Sequence, residues 1–198
     1  MPNTKDNFMK YPSSGPWLAL AAGTAVVATL PWLVSEFAAS VLLSCLMYIA
    51  LATSWSLFCG ATRYLSLATS AFFGIGAYAS APLLGSLPWP LVIVAGAVIA
   101  AVVAVVMGAA VLHLRGTYFA VLTFGMTELI RHAVTFVEKQ VSGTVGRVLT
   151  VVPSNETVYL TVLLIAAGAI ATAIAVKRSR FGLALSGIGA DEQRAQTL

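Results

Sequence analysis

Glu128 and Arg131 stand three residues apart inside the apolar run from Tyr118 to Val137, a run long enough to cross a bilayer as a helix. That spacing puts a carboxylate beside a guanidinium on one helical face, where each neutralises the other. At about 100° per residue, Thr117, Thr123, Thr127, Glu128, Arg131 and Thr135 share an arc of roughly 140°. Such a stripe is costly against lipid, so it is expected to face a bundle interior or a water-filled path. Two roles follow: the lining of a translocation route, or an ion pair that docks this helix on a neighbour.

A second constellation lies between Leu65 and Pro82, where Ser66, Thr69, Ser70, Gly74, Gly76 and Pro82 make an apolar stretch polar and interrupted. This pattern fits a crossing helix or a broken, re-entrant segment that lines a cavity. Thr69, Ser70 and Phe73 are available to a ligand, and Gly74 and Gly76 permit close helix contact or a local break. Gly74-x-Gly76 is no nucleotide fingerprint, because no strand precedes it and the third glycine is absent.

The rest of the chain offers little chemistry. His113 and His132 are the only histidines and are read as lacking a cysteine or carboxylate at ligand spacing, so no metal site and no cofactor are expected. Cys45 and Cys59, if helical, stand about 21 Å apart along the axis, beyond disulfide reach, and read as buried small apolar residues. No Ser/His, paired-Asp or His/Glu constellation suggests an enzyme.

The elements that must position these residues follow from composition. Of 198 residues 59% are hydrophobic and 9% charged, with a mean hydropathy of +0.92, whereas soluble domains carry about 25% charged residues. The chain therefore belongs in a lipid bilayer. Apolar stretches run from Trp17 to Val34, Val41 to Cys59, Leu65 to Pro82, Leu91 to Leu112, Tyr118 to Val137 and Val158 to Val176. The fold expected is an all-α polytopic bundle of about six transmembrane helices, the third possibly broken or re-entrant. Strands are not expected, since runs of this length show no period-two alternation. In the fourth stretch Gly96, Ala100, Ala104 and Gly108 form a smooth ridge for close helix packing.

Six alternating crossings put Lys5, Lys10, Arg63, Arg115, Lys177, Arg178, Arg180 and Arg194 on one side, against Lys139 and Arg147 on the other. The positive-inside rule makes the first side cytoplasmic, with both termini there. The net charge of +4 is dispersed among these loops and reports orientation, not nucleic-acid binding. The expected organisation is a cytoplasmic N-terminal segment 1–16, a transmembrane domain 17–176 and a cytoplasmic segment 177–198. One long external loop runs from Glu138 to Thr157, and the tail places Asp191-Glu192-Gln193-Arg194-Ala195 in a stretch capable of helix.

Taken in order, these segments resemble the permease of branched-chain amino acid ABC importers, a family that includes urea and short-chain amide transporters. Y-L-S-L-A-T-S-A-F-F-G-I-G-A-Y-A-S-A, Tyr64 to Ala81, is similar to the family's L-S-L-G-H-A-A-F-F-G-I-G-A-Y segment. Leu114-Arg115-Gly116-Thr117-Tyr118-Phe119-Ala120, followed by Thr123, Glu128 and Arg131, resembles its L-R-G-x-Y-F-A…T…E-I-x-R segment. Ser142, Gly143 and Gly146 are similar to its T-G-G-x-x-G loop, and Ser179-Arg180-Phe181-Gly182 with Ala184-Leu185 to its S-x-F-G-R-A-L lead into the coupling segment.

The resemblance implies a bacterial inner-membrane subunit that imports a small amino acid or amide and performs no bond chemistry itself. It implies a second related permease, two cytoplasmic ABC ATPase subunits and a periplasmic or extracellular solute-binding protein as partners. It also implies a substrate path near Thr69, Ser70, Phe73, Gly74, Thr123, Thr127, Glu128 and Arg131, and ATPase coupling through Arg180, Phe181, Gly182, Asp191, Glu192 and Ala195. Three departures stand out. Ala68-Thr69-Ser70 replaces the family's G-H-A, Leu183, Ser186, Gly189 and Ala190 thin out the coupling segment's charge, and family members continue past Leu198 through further spans. An incomplete permease is therefore expected. The alternative is a self-contained six-span channel or scaffold without an ATPase.

Overall fold

A computed structural model describes residues 15–111, 114, 116–143, 146, 149, 153–179 and 182. Their secondary structure is all helical: α1 (Gly15–Thr29) with a 3₁₀ turn (Leu30–Trp32), α2 (Glu36–Thr62), α3 (Thr69–Ser80) with a 3₁₀ turn (Ala81–Leu83), α4 (Trp89–Val111), α5 (Thr117–Ser142) and α6 (Asn155–Arg178). Five of these are long and apolar enough to cross a membrane: α1 with its 3₁₀ turn, α2, α4, α5 and α6. A helix is the only open-chain element that satisfies its own backbone in hydrocarbon, and α4, with no charged residue in its 23, has no other option.

The helix ends are marked locally. Ser35 caps α2 by accepting the Ala38 N–H at 3.4 Å, and Glu36 in the first turn complements the helix dipole. Ser154 does the same for α6 through the Thr157 N–H, with Glu156 in the first turn and Lys177 and Arg178 in the last. Gly116 and Gly143 bracket α5 at φ 61° and 71°, a region where a side chain would be strained. Consequently α5 runs beyond Val137, and Glu138 and Lys139 belong to the helix; they do not open an external loop.

The third crossing departs most from a continuous helix over Leu65 to Pro82. Only Thr69–Ser80 is α-helical, 12 residues and so about 18 Å, little more than half the hydrocarbon thickness. Arg63, the only non-glycine among the described residues with positive φ, ends α2 in the left-handed conformation. Side chains then compete with helical bonding: Thr62 Oγ1 accepts the Tyr64 N–H at 3.3 Å and Ser66 Oγ accepts the Ala68 N–H at 3.4 Å. The segment still traverses the bundle. Ser66 lies against Cys59 near the end of α2, whereas Ser80 reaches Val92 near the start of α4.

Two packed groups result. α2 and α1 lie along α6 around Leu46, Tyr159, Leu163 and Ala166, where the Tyr159 hydroxyl donates to Val27 O at 3.0 Å. α3 lies along α4 with α5 against α3. At the α3–α4 crossing a Cβ on Gly96 would collide with Ser80 Oγ and come 3.0 Å from Gly76 O, so a methyl there requires Ser80 to leave its bond to Gly76 O and the helices to shift apart. The expected ridge divides: Gly96 and Ala100 meet Gly76, while Ala104 and Gly108 border a cavity. Trp89 Nε1 joins the groups by donating to Thr161 Oγ1 at 2.9 Å.

Candidate functional site

The break before α3 leaves backbone groups without helical partners, and each needs another. The neighbouring helices supply them. Trp55 Nε1 of α2 donates to Ser66 O at 2.9 Å, and Cys59 Sγ accepts the Ser66 N–H at 3.3 Å. From α5, Thr123 Oγ1 accepts the Leu67 N–H at 3.3 Å and passes its own proton to Ala120 O at 2.9 Å. One turn on, Thr127 Oγ1 reaches Leu67 O at 3.1 Å and Thr123 O at 2.9 Å, sharing its one proton between them. The Leu67 peptide is thus held on both its polar groups by two threonines four residues apart, much as a neighbouring strand would hold it.

This corrects the reading of the cysteines as buried apolar fillers. Cys45 is exposed, and the half-buried Cys59 serves as a sulfur acceptor for the broken segment.

Below the break, α3 begins with Ala68 as its N-cap and no side-chain cap, while the Ala71 and Phe72 N–H groups turn back to Ala68 O. The start of the helix, with its positive dipole end, borders a cavity of about 350 Å³ lined by Phe58, Ser66, Thr69, Phe72, Gly108 and Thr123, among others. Two of its lining rings, Phe58 and Phe119, stack at 6.2 Å between centroids, and Phe119 also packs at 5.3 Å from Tyr64.

The sequence-predicted residues divide between two faces. Thr69 and Thr123 border the cavity beside the break, and Thr127 clamps its backbone. Ser70 and Phe73 lie on the outer face of α3, and around half-buried Gly74 there is open space. Glu128 and Arg131 form the expected ion pair at 2.7 Å, with side chains 39% and 67% exposed, near the middle of α5. The single polar stripe expected on α5 is therefore split, Thr123 and Thr127 turned to the segment before α3 and Glu128 and Arg131 turned outward.

Two groups escaped the sequence reading. His132 Nε2 stands 4.0 Å from the same Glu128 carboxylate at i,i+4, the ligand-type spacing that was read as absent. Among the described residues, no group of three or more metal-binding side chains is brought together. Glu138, one face away, is 8% exposed and makes no hydrogen bond through either carboxylate oxygen. Its position on the row of α5 that runs from buried Phe119 and Thr123 through half-buried Ile130 and Val134 was legible from helical spacing alone.

Of the expected coupling residues, Arg180, Phe181, Asp191, Glu192 and Ala195 lie outside the described residues. Gly182 folds back on the end of α6, donating to Ser179 O at 3.1 Å, and a Cβ there would collide with the Val176 carbonyl.

The family described as branched-chain amino acid transport system, permease component, matches residues 37–198, from the start of α2 onward. The chain belongs to that family. No curated protein and no solved structure matches it. As a multi-pass permease component of a branched-chain amino acid transport system, the chain has the role of a transporter subunit.

Proposed function

We propose that this permease forms part of the translocation path of an ATP-driven importer for branched-chain amino acids or related small amides. The observation that carries the reading is the Glu128–Arg131 pair, half-exposed at mid-span on the same helix that clamps the broken crossing. A charged residue at the centre of a span costs about 2.5–3.5 kcal/mol against lipid, so this face needs water or another protein surface opposite it. Discontinuous helices are a recurrent way of building such paths, since the freed backbone and the half-helix N-terminus provide polar groups in hydrocarbon.

In this reading Thr69, Ser70, Phe73 and Gly74 of α3 and Thr123, Thr127, Glu128 and Arg131 of α5 border or support the path. The partners are a second related permease, two cytoplasmic ABC ATPases and an external solute-binding protein. The segment 177–198 is cytoplasmic in the bacterial inner membrane and docks an ATPase through Arg180, Phe181, Gly182, Asp191, Glu192 and Ala195. The eight-to-two division of basic residues supports that orientation, because a broken third segment that still traverses the bundle preserves the alternation of sides.

The test is gentle extraction with associated subunits, identification of those subunits, and reconstitution into vesicles. ATP-dependent uptake of leucine, isoleucine or valine, reduced by Glu128→Gln, is the expected outcome. Solute flux through the chain alone without ATP would overturn the importer reading in favour of a self-contained channel.

A further inference from the structure

Glu128 and Arg131 have more bonding capacity than their mutual contact uses. The 2.7 Å contact runs from Arg131 Nη2 to Glu128 Oε2, and His132 Nε2 stands 4.0 Å from that same oxygen. No other described residue pairs with either side chain. A guanidinium has five N–H donors and a carboxylate about four acceptor sites, so most of both groups is left over, on side chains 67% and 39% exposed. Within a span such groups are costly against lipid and call for a polar occupant.

The arrangement limits what that occupant can be. The pair is neutral as a whole, so a lone anion meets Glu128 as well as Arg131, and a lone cation meets Arg131 as well as Glu128. A neutral amide finds hydrogen bonds but offers no charge to complement. A molecule with opposite charges on neighbouring carbons satisfies both groups: its carboxylate takes the planar guanidinium, whose fork matches it, and its ammonium takes the Glu128 carboxylate. An α-amino acid zwitterion has that form. Phe124 and Val121, both exposed and one and two turns before Glu128 on the same helical face, set apolar surface beside the charges.

We propose that Glu128 and Arg131 recognise the two charges of a zwitterionic α-amino acid, Arg131 taking its carboxylate and Glu128 its ammonium, while Phe124 and Val121 carry its aliphatic side chain. The inference rests on the reading of this pair as part of the translocation path, and narrows that reading from amino acids or small amides to amino acids.

The test uses the full chain extracted with the subunits that accompany it and without the external solute-binding protein, so that binding to the permease is read directly. Equilibrium binding is measured for leucine and for three probes that share its skeleton: isopentylammonium, which lacks the carboxylate, 4-methylpentanoate, which lacks the ammonium, and 4-methylpentanamide, which carries neither charge. Leucine is expected to bind about tenfold or more tightly than each of them, as charge-assisted bonds require. In Arg131→Gln, leucine binding is expected to weaken by about tenfold or more while isopentylammonium binds no worse than before. The mirror result is expected in Glu128→Gln, with 4-methylpentanoate binding no worse. A purely structural pair would instead weaken every ligand alike, which would overturn the inference. Should neither variant fold, the four ligands on the unaltered protein still decide. No leucine binding, equal binding of 4-methylpentanamide, or unchanged leucine binding in either variant would overturn the inference, and ATP-dependent uptake by the same preparation would leave the importer reading standing. Leucine binding in the expected pattern without ATP-dependent uptake would uphold the site and overturn the importer reading.

Discussion

Replacing Thr123 by Val removes one hydroxyl while keeping the β-branched shape, so its cost measures the clamp on the broken crossing and little else. The Thr123 hydroxyl is the acceptor for the Leu67 N–H at 3.3 Å, and Thr123 is only 4% exposed. Without it, the Leu67 N–H is left unpaired, at about 1–3 kcal/mol. Side-chain hydrogen bonds between membrane helices average about 0.6 kcal/mol when both partners can find alternatives, so the lower half of that range, about 1–2 kcal/mol, is expected. Thr127→Val strips Leu67 O of its donor, but that proton is already shared with Thr123 O, and a loss of about 0.5–1 kcal/mol follows. The control is Thr135→Val, whose hydroxyl bonds only to Arg131 O of its own helix and whose loss is expected within about 0.5 kcal/mol. Because Thr123 and Thr127 grip the same peptide, their double substitution is expected to be non-additive. Reversible unfolding in mixed micelles gives the three values. A Thr123→Val variant as stable as wild type, or one no worse than Thr135→Val, would refute the claim that α5 holds the break together.

Two further substitutions probe other parts of the same architecture. Gly96→Ala is expected to destabilise by about 1–3 kcal/mol by pushing α4 off Gly76 O and Ser80, while Gly23→Ala on α1, where a Cβ meets open space, is expected to be neutral or to stabilise by up to about 1 kcal/mol; equal melting temperatures for the two variants would show that the α3–α4 crossing is looser than it is drawn. Glu128→Gln and Arg131→Gln are each expected to lower uptake and stability, with a double substitution milder than the sum of the two. Strict additivity in that cycle would mean the 2.7 Å pair contributes no coupling.

Much of this fold was legible in the chain because lipid leaves few choices. Long runs without charge have to be helical in hydrocarbon, and α2, α4 and α6 occupy the expected stretches, with α2 extended back to its capping Ser35 and α6 from its capping Ser154 to Lys177 and Arg178. The segment Leu65 to Pro82 was legible as polar and interrupted, but the place of the break was not. It depends on Ser66 and Thr62 bonding to nearby backbone and on Thr123, some 56 residues away, standing opposite Leu67. Helical periodicity grouped the polar residues of α5 correctly by angle, yet an arc of roughly 140° is wide enough to address two different neighbours. Glu138 shows the opposite error. Its charge suggested a loop, and only its alignment with Phe119, Thr123 and Val134 reveals a place on the inward row.

The division of α5 also constrains how the permease can move. Its inward row is fixed to a backbone segment whose own hydrogen bonds depend on it, so α5 and the break before α3 have to travel together or leave the Leu67 N–H and C=O without these partners. Movement that opens or closes a path is then cheapest between the two packed groups, α1–α2–α6 and α3–α4–α5. The described side-chain hydrogen bonds that join those groups are few, the Trp89–Thr161 bond at one end and the Trp55 and Cys59 bonds to Ser66 at the other. Rocking of one group against the other strains these bonds before it disturbs the glycine crossing of α3 on α4 or the Tyr159 anchor within the first group. A disulfide that ties α3 to α5 should leave transport intact, whereas one that ties α4 to α6 beside Trp89 should arrest it. Arrest by the first and not by the second would place the moving boundary inside the α3–α4–α5 group and refute this division.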